Sequence, residues 1–196
     1  MDSPIACSTC GALSQLPADS FDSFELFSIN REYDIDPKVL HHKYLCLSRV
    51  IHPDLASGEA GHQRSQSLNL SAELNRAYDT LRDPVARAEY LLSLAGGPRS
   101  FENKTVPQEL LVQVLEFREE IEDARASDDT ATLQAIQQQL LGRREATLAR
   151  IAELARGLET GDPQNRIRLR EQLNTVKYWN NILEQIPPTG VAGRRG

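Results

Sequence analysis

Three sets of residues in this chain have side chains and spacings that could do chemistry. The acidic run Glu119-Glu120, Glu122-Asp123 places Glu119 and Asp123 at i, i+4, where two carboxylates share a helix face and could act as a general acid and base. No convergent His, Ser or Gly-rich phosphate loop accompanies them, so they read as solvated helix surface. Cys7-Ser8-Thr9-Cys10 has metal-ligand spacing, yet it supplies only half of a tetrahedral site. The pair is inert, or holds a zinc shared between two chains, or is redox-sensitive. Cys46 lies in a helix-patterned segment and reads as a buried structural thiol. The three cysteines cannot make a paired disulfide framework. The most informative set is His52-Pro53-Asp54, between two helix-patterned segments. An enzyme has no need of it in that setting. The bland alternative is that His52 and Asp54 only cap and turn the chain.

The elements that position these residues are all helical in pattern. Residues 1–20 hold Pro4, Gly11 and Pro17 with little periodicity and read as a flexible arm. Asp22 with Glu25 three residues on is a capping box for a short Phe-rich helix. Asp36-Pro37 opens the next helix, in which Leu40, Tyr44, Leu47 and Ile51 form one apolar stripe. Pro53 ends it. Residues 55–64 are a polar, Gly-bearing loop. Leu70, Leu74, Ala77 and Leu81 then repeat the same spacing, which predicts an antiparallel helical hairpin with His52-Pro53-Asp54 at its tip. After Arg82-Asp83-Pro84 comes a short apolar helix to Leu94. Gly96-Gly97-Pro98 is the clearest break, and a linker continues to Thr105. Helical patterns follow at about 107–126, 129–156 and 163–186, with Asp128 or Asp129 and Asp162 as caps. Their short connections predict a bundle of antiparallel neighbours. The tail 187–196 reads as disordered. The expected fold is therefore all-α: a hairpin domain over 21–83, a short helix and linker over 84–105, and a three-helix bundle over 106–186.

Composition narrows the partners. Hydrophobic residues make up 40% and aromatics 6%, enough for an aliphatic core. A formal net charge of -6 argues against wholesale binding of nucleic acid or membranes. No apolar run approaches about 20 residues, so no membrane span is expected. The N-terminus lacks a signal or transit pattern, which makes the cytoplasm the expected compartment.

The helix–tip–helix carrying His52-Pro53-Asp54, preceded by a short Phe-rich helix, resembles the J-domain of DnaJ-type co-chaperones over about residues 22–82. Tyr78-Asp79-Thr80-Leu81-Arg82-Asp83-Pro84 is similar to the end of the third J-domain helix. The resemblance implies docking on a DnaK-type chaperone in its ATP state and stimulation of its hydrolysis. Asp54 would then accept charge-assisted hydrogen bonds from a partner arginine. Pro53 would fix the turn, and His52 would fill a pocket or hydrogen-bond nearby. Lys43 and Arg49, helped by His41 and His42, would face an acidic partner surface. Leu55 stands where many J-domains carry a cation.

Arg87-Ala88-Glu89-Tyr90-Leu91-Leu92-Ser93-Leu94 and Leu115-Glu116-Phe117-Arg118-Glu119-Glu120 resemble the HscB-type J-proteins of iron–sulfur cluster assembly, a likeness covering about residues 22–186. The Gly/Phe-rich and cysteine-rich segments of general DnaJ proteins are absent. A helical wheel supports a partner surface independently. With Leu110 at 0°, Val114, Phe117 and Ile121 fall at about 40°, 340° and 20°, the core stripe. Leu111, Leu115, Glu119, Val112 and Glu116 fall at about 100°, 140°, 180°, 200° and 240°, a second face that is apolar in its middle and acidic around it. Such a face suits transient protein binding; the alternative is packing against a neighbouring helix. The family likeness implies that Leu111, Val112, Leu115, Glu116 and Glu119 contact the scaffold protein IscU. Tyr178, roughly opposite the Leu169, Leu173 and Val176 stripe, matches an aromatic of the same interface; Trp179 beside it suits the core. The implied activity is that of a non-enzymatic co-chaperone. It brings an IscU-type scaffold to an HscA/DnaK-type chaperone and needs no cofactor of its own. A J-protein with another client and a purely structural helical adaptor are the alternatives.

Overall fold

The structure, a computed structural model, describes residues 21–51 and 62–186. His52, Pro53, Asp54, Cys7 and Cys10 lie outside the described residues, as do the segments 1–20 and 187–196. Seven α-helices occur among the described residues, and no strand does: α1 Ser23–Leu26, α2 Pro37–Val50, α3 His62–Arg82, α4 Pro84–Leu94, α5 Gln108–Ala126, α6 Thr130–Arg156 and α7 Pro163–Leu183. They form two compact units that divide between Leu91 and Leu92, inside α4.

The first unit is built on the α2–α3 hairpin. Asp22 caps α1, accepting from the backbone N–H of Phe24 and Glu25, while Glu25 returns a carboxylate to the Asp22 N–H. Asp36 caps α2 ahead of Pro37, whose missing N–H costs nothing in the first turn. The predicted stripes are buried where α2 and α3 meet, through Leu40, Leu47 and Ile51 on one helix and Leu70, Leu74, Ala77 and Leu81 on the other, while Tyr44 of the predicted α2 stripe is only half-buried. Side-chain links run antiparallel along the pair. The Ser67 hydroxyl donates to the Ile51 carbonyl, Tyr44 donates to Asn75 at 2.9 Å, and His41 Nδ1 lies 2.9 Å from the Tyr78 hydroxyl. The Tyr44 and Tyr78 rings stack at 4.2 Å. α4 starts from an Asp83 cap on the Ala86 N–H. Its Tyr90 stacks on Phe24 and accepts the Ser23 N–H at 3.0 Å.

The buried guanidinium of Arg87 ties this unit together. Nε donates to the Leu81 carbonyl at 2.7 Å, near the end of α3, and Nη1 to the Tyr33 carbonyl at 2.6 Å. The charge also lies 5.4 Å from the Tyr33 ring centroid. Burial draws the Arg87 pKa below its ordinary value, but an arginine stays protonated regardless.

The second unit begins where α4 ends in a Schellman turn. Gly96 at φ +69° sends its N–H to the Ser93 carbonyl, and Gly97 bonds back to Leu92. The following stretch, linker-like in composition, is stitched along α7. Buried Arg170 donates to the Pro98 carbonyl at 2.8 Å, and Asn174 donates to the Asn103 and Thr105 carbonyls at 3.0 and 3.1 Å. Asn174→Ala removes two of these bonds, so it should lower the unfolding free energy of this unit by about 1–2 kcal/mol in a urea titration. An unchanged midpoint would mean the stitches contribute nothing.

The bundle then follows the predicted order. α5 closes with Asp128 in the left-handed region at φ +53° and the Asp129 N–H on the Ala124 carbonyl. Of the two candidate caps, Asp129 is the one used: it accepts from Thr132 N at 3.0 Å and from the Thr132 hydroxyl at 2.6 Å, which lowers its pKa. Gly161 at φ +71° turns the chain into Asp162, which caps α7 through the Gln164 N–H. Leu110, Val114, Phe117 and Ile121 of α5 are buried with Leu133, Ile136 and Leu140 of α6 and Trp179 and Ile182 of α7.

Candidate functional site

The outer face of α5 is fixed from within. Phe117 meets Trp179 edge-on, with ring centroids 6.4 Å apart and planes at 86°. Trp179 Nε1 donates to Thr147 at 3.2 Å, so the indole N–H is satisfied in the core. The Arg143 guanidinium sits 5.3 Å from the Phe117 ring centroid and 5.8 Å from that of Trp179, and donates to Gln113 of α5 at 2.8 Å. These contacts leave α5 one orientation. Five buried side chains, Leu110, Val114, Phe117, Ile121 and Ala124, face inward.

The opposite face is therefore presented to solvent. Leu111, Val112 and Leu115 are 42%, 51% and 59% exposed, and Glu116 and Glu119 are exposed beside them. Within the described residues, the bland alternative of a second face packed under a neighbouring helix does not hold. No ion pair among the described residues engages the α5 carboxylates. An apolar strip bordered by carboxylates has the chemistry that suits contact with apolar groups flanked by cations. Tyr178 is half-buried and leans on the α5–α6–α7 core, while neighbouring Trp179 is fully in it. The tyrosine is thus off the Leu169–Leu173–Val176 stripe but not wholly turned away from the interior.

On the hairpin, α2 carries the candidate cations on two different sides. Lys43 is half-buried, and its ammonium donates to the Phe27 and Ser28 carbonyls at 2.9 and 3.1 Å, closing the end of α1. Arg49 is exposed about 120° away around the helix. The exposed residues that share its side are Lys38, His42 and Leu45, directly opposite the buried stripe. Lys38 and Leu45 were not singled out from sequence, although the same wheel that separates the faces of α5 places them beside Arg49. Cys46 is half-buried with Sγ 3.8 Å from the His42 ring, not the fully buried thiol its helix suggested, because it sits on the flank of α2 and not on the inner stripe. The Glu119 and Asp123 carboxylates stay on exposed helix surface, and among the described residues no histidine or hydroxyl bonds to either. Among the described residues no group of three or more His, Cys, Asp or Glu side chains could hold a metal ion, and no helix is long and apolar enough to cross a membrane.

Residues 106–187 match the family model described as the HSCB C-terminal oligomerisation domain. The co-chaperone protein HscB homolog of Shewanella oneidensis is 34% identical over 165 residues, covering 83% of this chain and 93% of that protein. The homolog of Burkholderia thailandensis is 34% identical over 155 residues, covering 79% and 87%. Among solved structures, the human co-chaperone protein HscB matches with a TM-score of 0.77 at 26% identity, covering 95% of this chain and 90% of that one. The chaperone HscB from Vibrio cholerae matches with a TM-score of 0.70 at 28% identity, covering 85% and 95%. An all-α chain with this hairpin, this bundle and relatives at this identity across nearly their whole length belongs to the HscB family of co-chaperones.

Proposed function

We propose that this chain stimulates ATP hydrolysis by an HscA/DnaK-type chaperone in the cytoplasm and presents to it an IscU-type scaffold protein of iron–sulfur cluster assembly. The observation that carries the second half of the reading is the outer face of α5. Three aliphatic side chains stand in water on a helix whose inner face is already fully buried, so the fold itself has no use for them. Leu111, Val112 and Leu115 would bury against the scaffold, Glu116 and Glu119 would meet its cations, and Tyr178 would extend the contact from α7. The first half rests on His52-Pro53-Asp54 together with the hairpin that flanks it. Asp54 would take an arginine of the chaperone, and Arg49 on α2 would meet acidic groups. Lys43, engaged with the Phe27 and Ser28 carbonyls, would support this face by holding α1 against α2. Holding client and chaperone on one chain raises the local concentration of one at the other, so capture of the client follows hydrolysis. The chain itself would hydrolyse nothing and would need no metal, cluster or nucleotide.

The test is ATP turnover by a purified HscA/DnaK-type chaperone with this chain, with and without IscU. Stimulation that is lost in His52→Gln and rises synergistically with IscU is the expected result. Stimulation indifferent to IscU would assign the bundle to another client, and none with several such chaperones would leave a helical adaptor. The double variant Leu111→Ala, Leu115→Ala should weaken scaffold binding about 10- to 100-fold by calorimetry, since each truncation removes apolar contact worth about 1 kcal/mol at an interface centre. Stimulation by the chain alone should be unchanged in that variant. Undiminished binding would remove α5 from the interface.

A further inference from the structure

Two halves of a tetrahedral metal site occur in this chain. One is on α2, where His42 and Cys46 are four residues apart, the spacing at which a helix presents two ligands to one ion. The Cys46 thiol stands 3.8 Å from His42 Nε2 and 4.0 Å from Nδ1. A sulfur about 2.3 Å and a nitrogen about 2.05 Å from a tetrahedral zinc stand about 3.6 Å from each other, so the pair is already near ligand separation. Cys46 is half-buried and His42 exposed, so the thiol is held while the ring is free to turn a nitrogen lone pair toward an ion. The other half is Cys7-Ser8-Thr9-Cys10, with the C-x2-C spacing of paired zinc ligands. Cys7, Cys10 and Cys46 are all the cysteines of the chain, and with His42 they make a Cys3His set, one of the common structural zinc sets.

We propose that Cys7, Cys10, His42 and Cys46 of one chain hold a single structural zinc ion, which fastens the N-terminal segment to the flank of α2. Chain length permits it. Residues 11–21 link Cys10 to the Asp22 cap of α1, and a link of that length spans up to about 36 Å. α1 itself is about 6 Å long, and its end is bound beside the pair: Lys43, next to His42, donates to the Phe27 and Ser28 carbonyls at 2.9 and 3.1 Å. Charge permits it too. Three thiolates and a neutral imidazole leave one net negative charge around the zinc, and Lys43 and Arg49 each stand three residues from Cys46 to offset it. Each thiol gives its proton to solvent as its sulfur bonds to the metal, and no electron is exchanged. The ion supplies no chemistry to the proposed co-chaperone activity, so the two readings stand or fall separately.

The experiment is titration of the reduced, metal-free full chain with Co²⁺ as a spectroscopic probe, followed by displacement with Zn²⁺ and a count of bound zinc. The expected result is about one ion per chain, with the thiolate charge-transfer and ligand-field bands of a tetrahedral sulfur-rich site and a zinc Kd of about 0.1 μM or tighter. Cys46→Ser, His42→Ala and Cys10→Ser should each weaken zinc binding at least about tenfold, since losing even a group behind a ligand costs that much. Circular dichroism of the metal-free variants should match wild type, because His42 is exposed and Cys46 only half-buried. Loss in Cys10→Ser with Cys46→Ser and His42→Ala unaffected, at one ion per two chains, would overturn the proposal in favour of a zinc shared between two copies of the Cys7/Cys10 pair. Loss in the α2 variants with Cys10→Ser unaffected would overturn the role of the N-terminal pair. No binding at about 10 μM metal would overturn the site altogether.

Discussion

Arg87→Ala should unfold the first unit at much lower denaturant than wild type while leaving the second unit's transition in place. Arg87 is 8% exposed, and its guanidinium bonds to two carbonyls from separate elements, Leu81 at the end of α3 and Tyr33 in the connection between α1 and α2. Truncation strands the Leu81 carbonyl, because the last carbonyls of a helix have no partner within it. It takes from the Tyr33 carbonyl its charged donor, leaving the Ile35 N–H, and it removes the cation from the Tyr33 ring. A lost bond to a charged donor together with a stranded carbonyl amounts to about 3 kcal/mol. Arg87→Lys should recover less than half of this, since a single ammonium cannot reproduce the planar fork toward two carbonyls. The only tryptophan of the chain, Trp179, lies in the second unit. Its fluorescence should therefore be blind to the Arg87 effect, while circular dichroism reports an early loss of helix. Coincident transitions by the two probes would show that the units unfold as one.

The residues that carry this prediction show where sequence reading reaches its limit. Leu70, Leu74, Ala77 and Leu81, or Leu110, Val114, Phe117 and Ile121, repeat at helical spacing, so both their helix and their inward face follow from geometry alone. The exposed apolar face of α5 was legible for the same reason: once one stripe is assigned to the core, Leu111, Val112 and Leu115 remain with no interior to enter. Arg87, Arg170, Asn174 and Lys43 have no such signature. Each bonds to at least one backbone carbonyl distant in sequence, about 15 residues away for Lys43, 54 for Arg87 and about 70 for Arg170 and Asn174. A carbonyl acceptor leaves no mark in the sequence, since every residue has one. So Arg170 and Asn174 gave no hint that the 98–105 stretch is held along α7, and Lys43 was grouped with Arg49 by charge although the two face different ways. Tyr178 lies between these cases: its place off the stripe was legible, its lean onto the core was not.

Phe117→Ala should lower the stability of the second unit by about 3–5 kcal/mol and weaken client binding, although Phe117 is buried and touches no partner. The ring fills the space between α5 and α7, meets Trp179 edge-on and carries the Arg143 guanidinium on its face. Removing it opens a cavity at the point where the three helices are pinned together and frees Arg143 from one of its two rings. α5 then loses the contacts that hold Leu111, Val112 and Leu115 outward, so binding must first re-order the helix, a cost that appears as lost affinity. Phe117→Leu keeps most of the volume and should cost about 1 kcal/mol, with near-normal binding. Urea titrations followed by Trp179 fluorescence measure the stability change at the site itself, and calorimetry on the same variants measures the binding. If Phe117→Ala remained folded at the working temperature and bound the scaffold as tightly as wild type, the outer face would not depend on the core beneath it, and α5 would be a helix that orders on its partner. The Phe117–Trp179–Arg143 contacts argue against that outcome, because they hold the inner face of α5 in one place before any partner arrives.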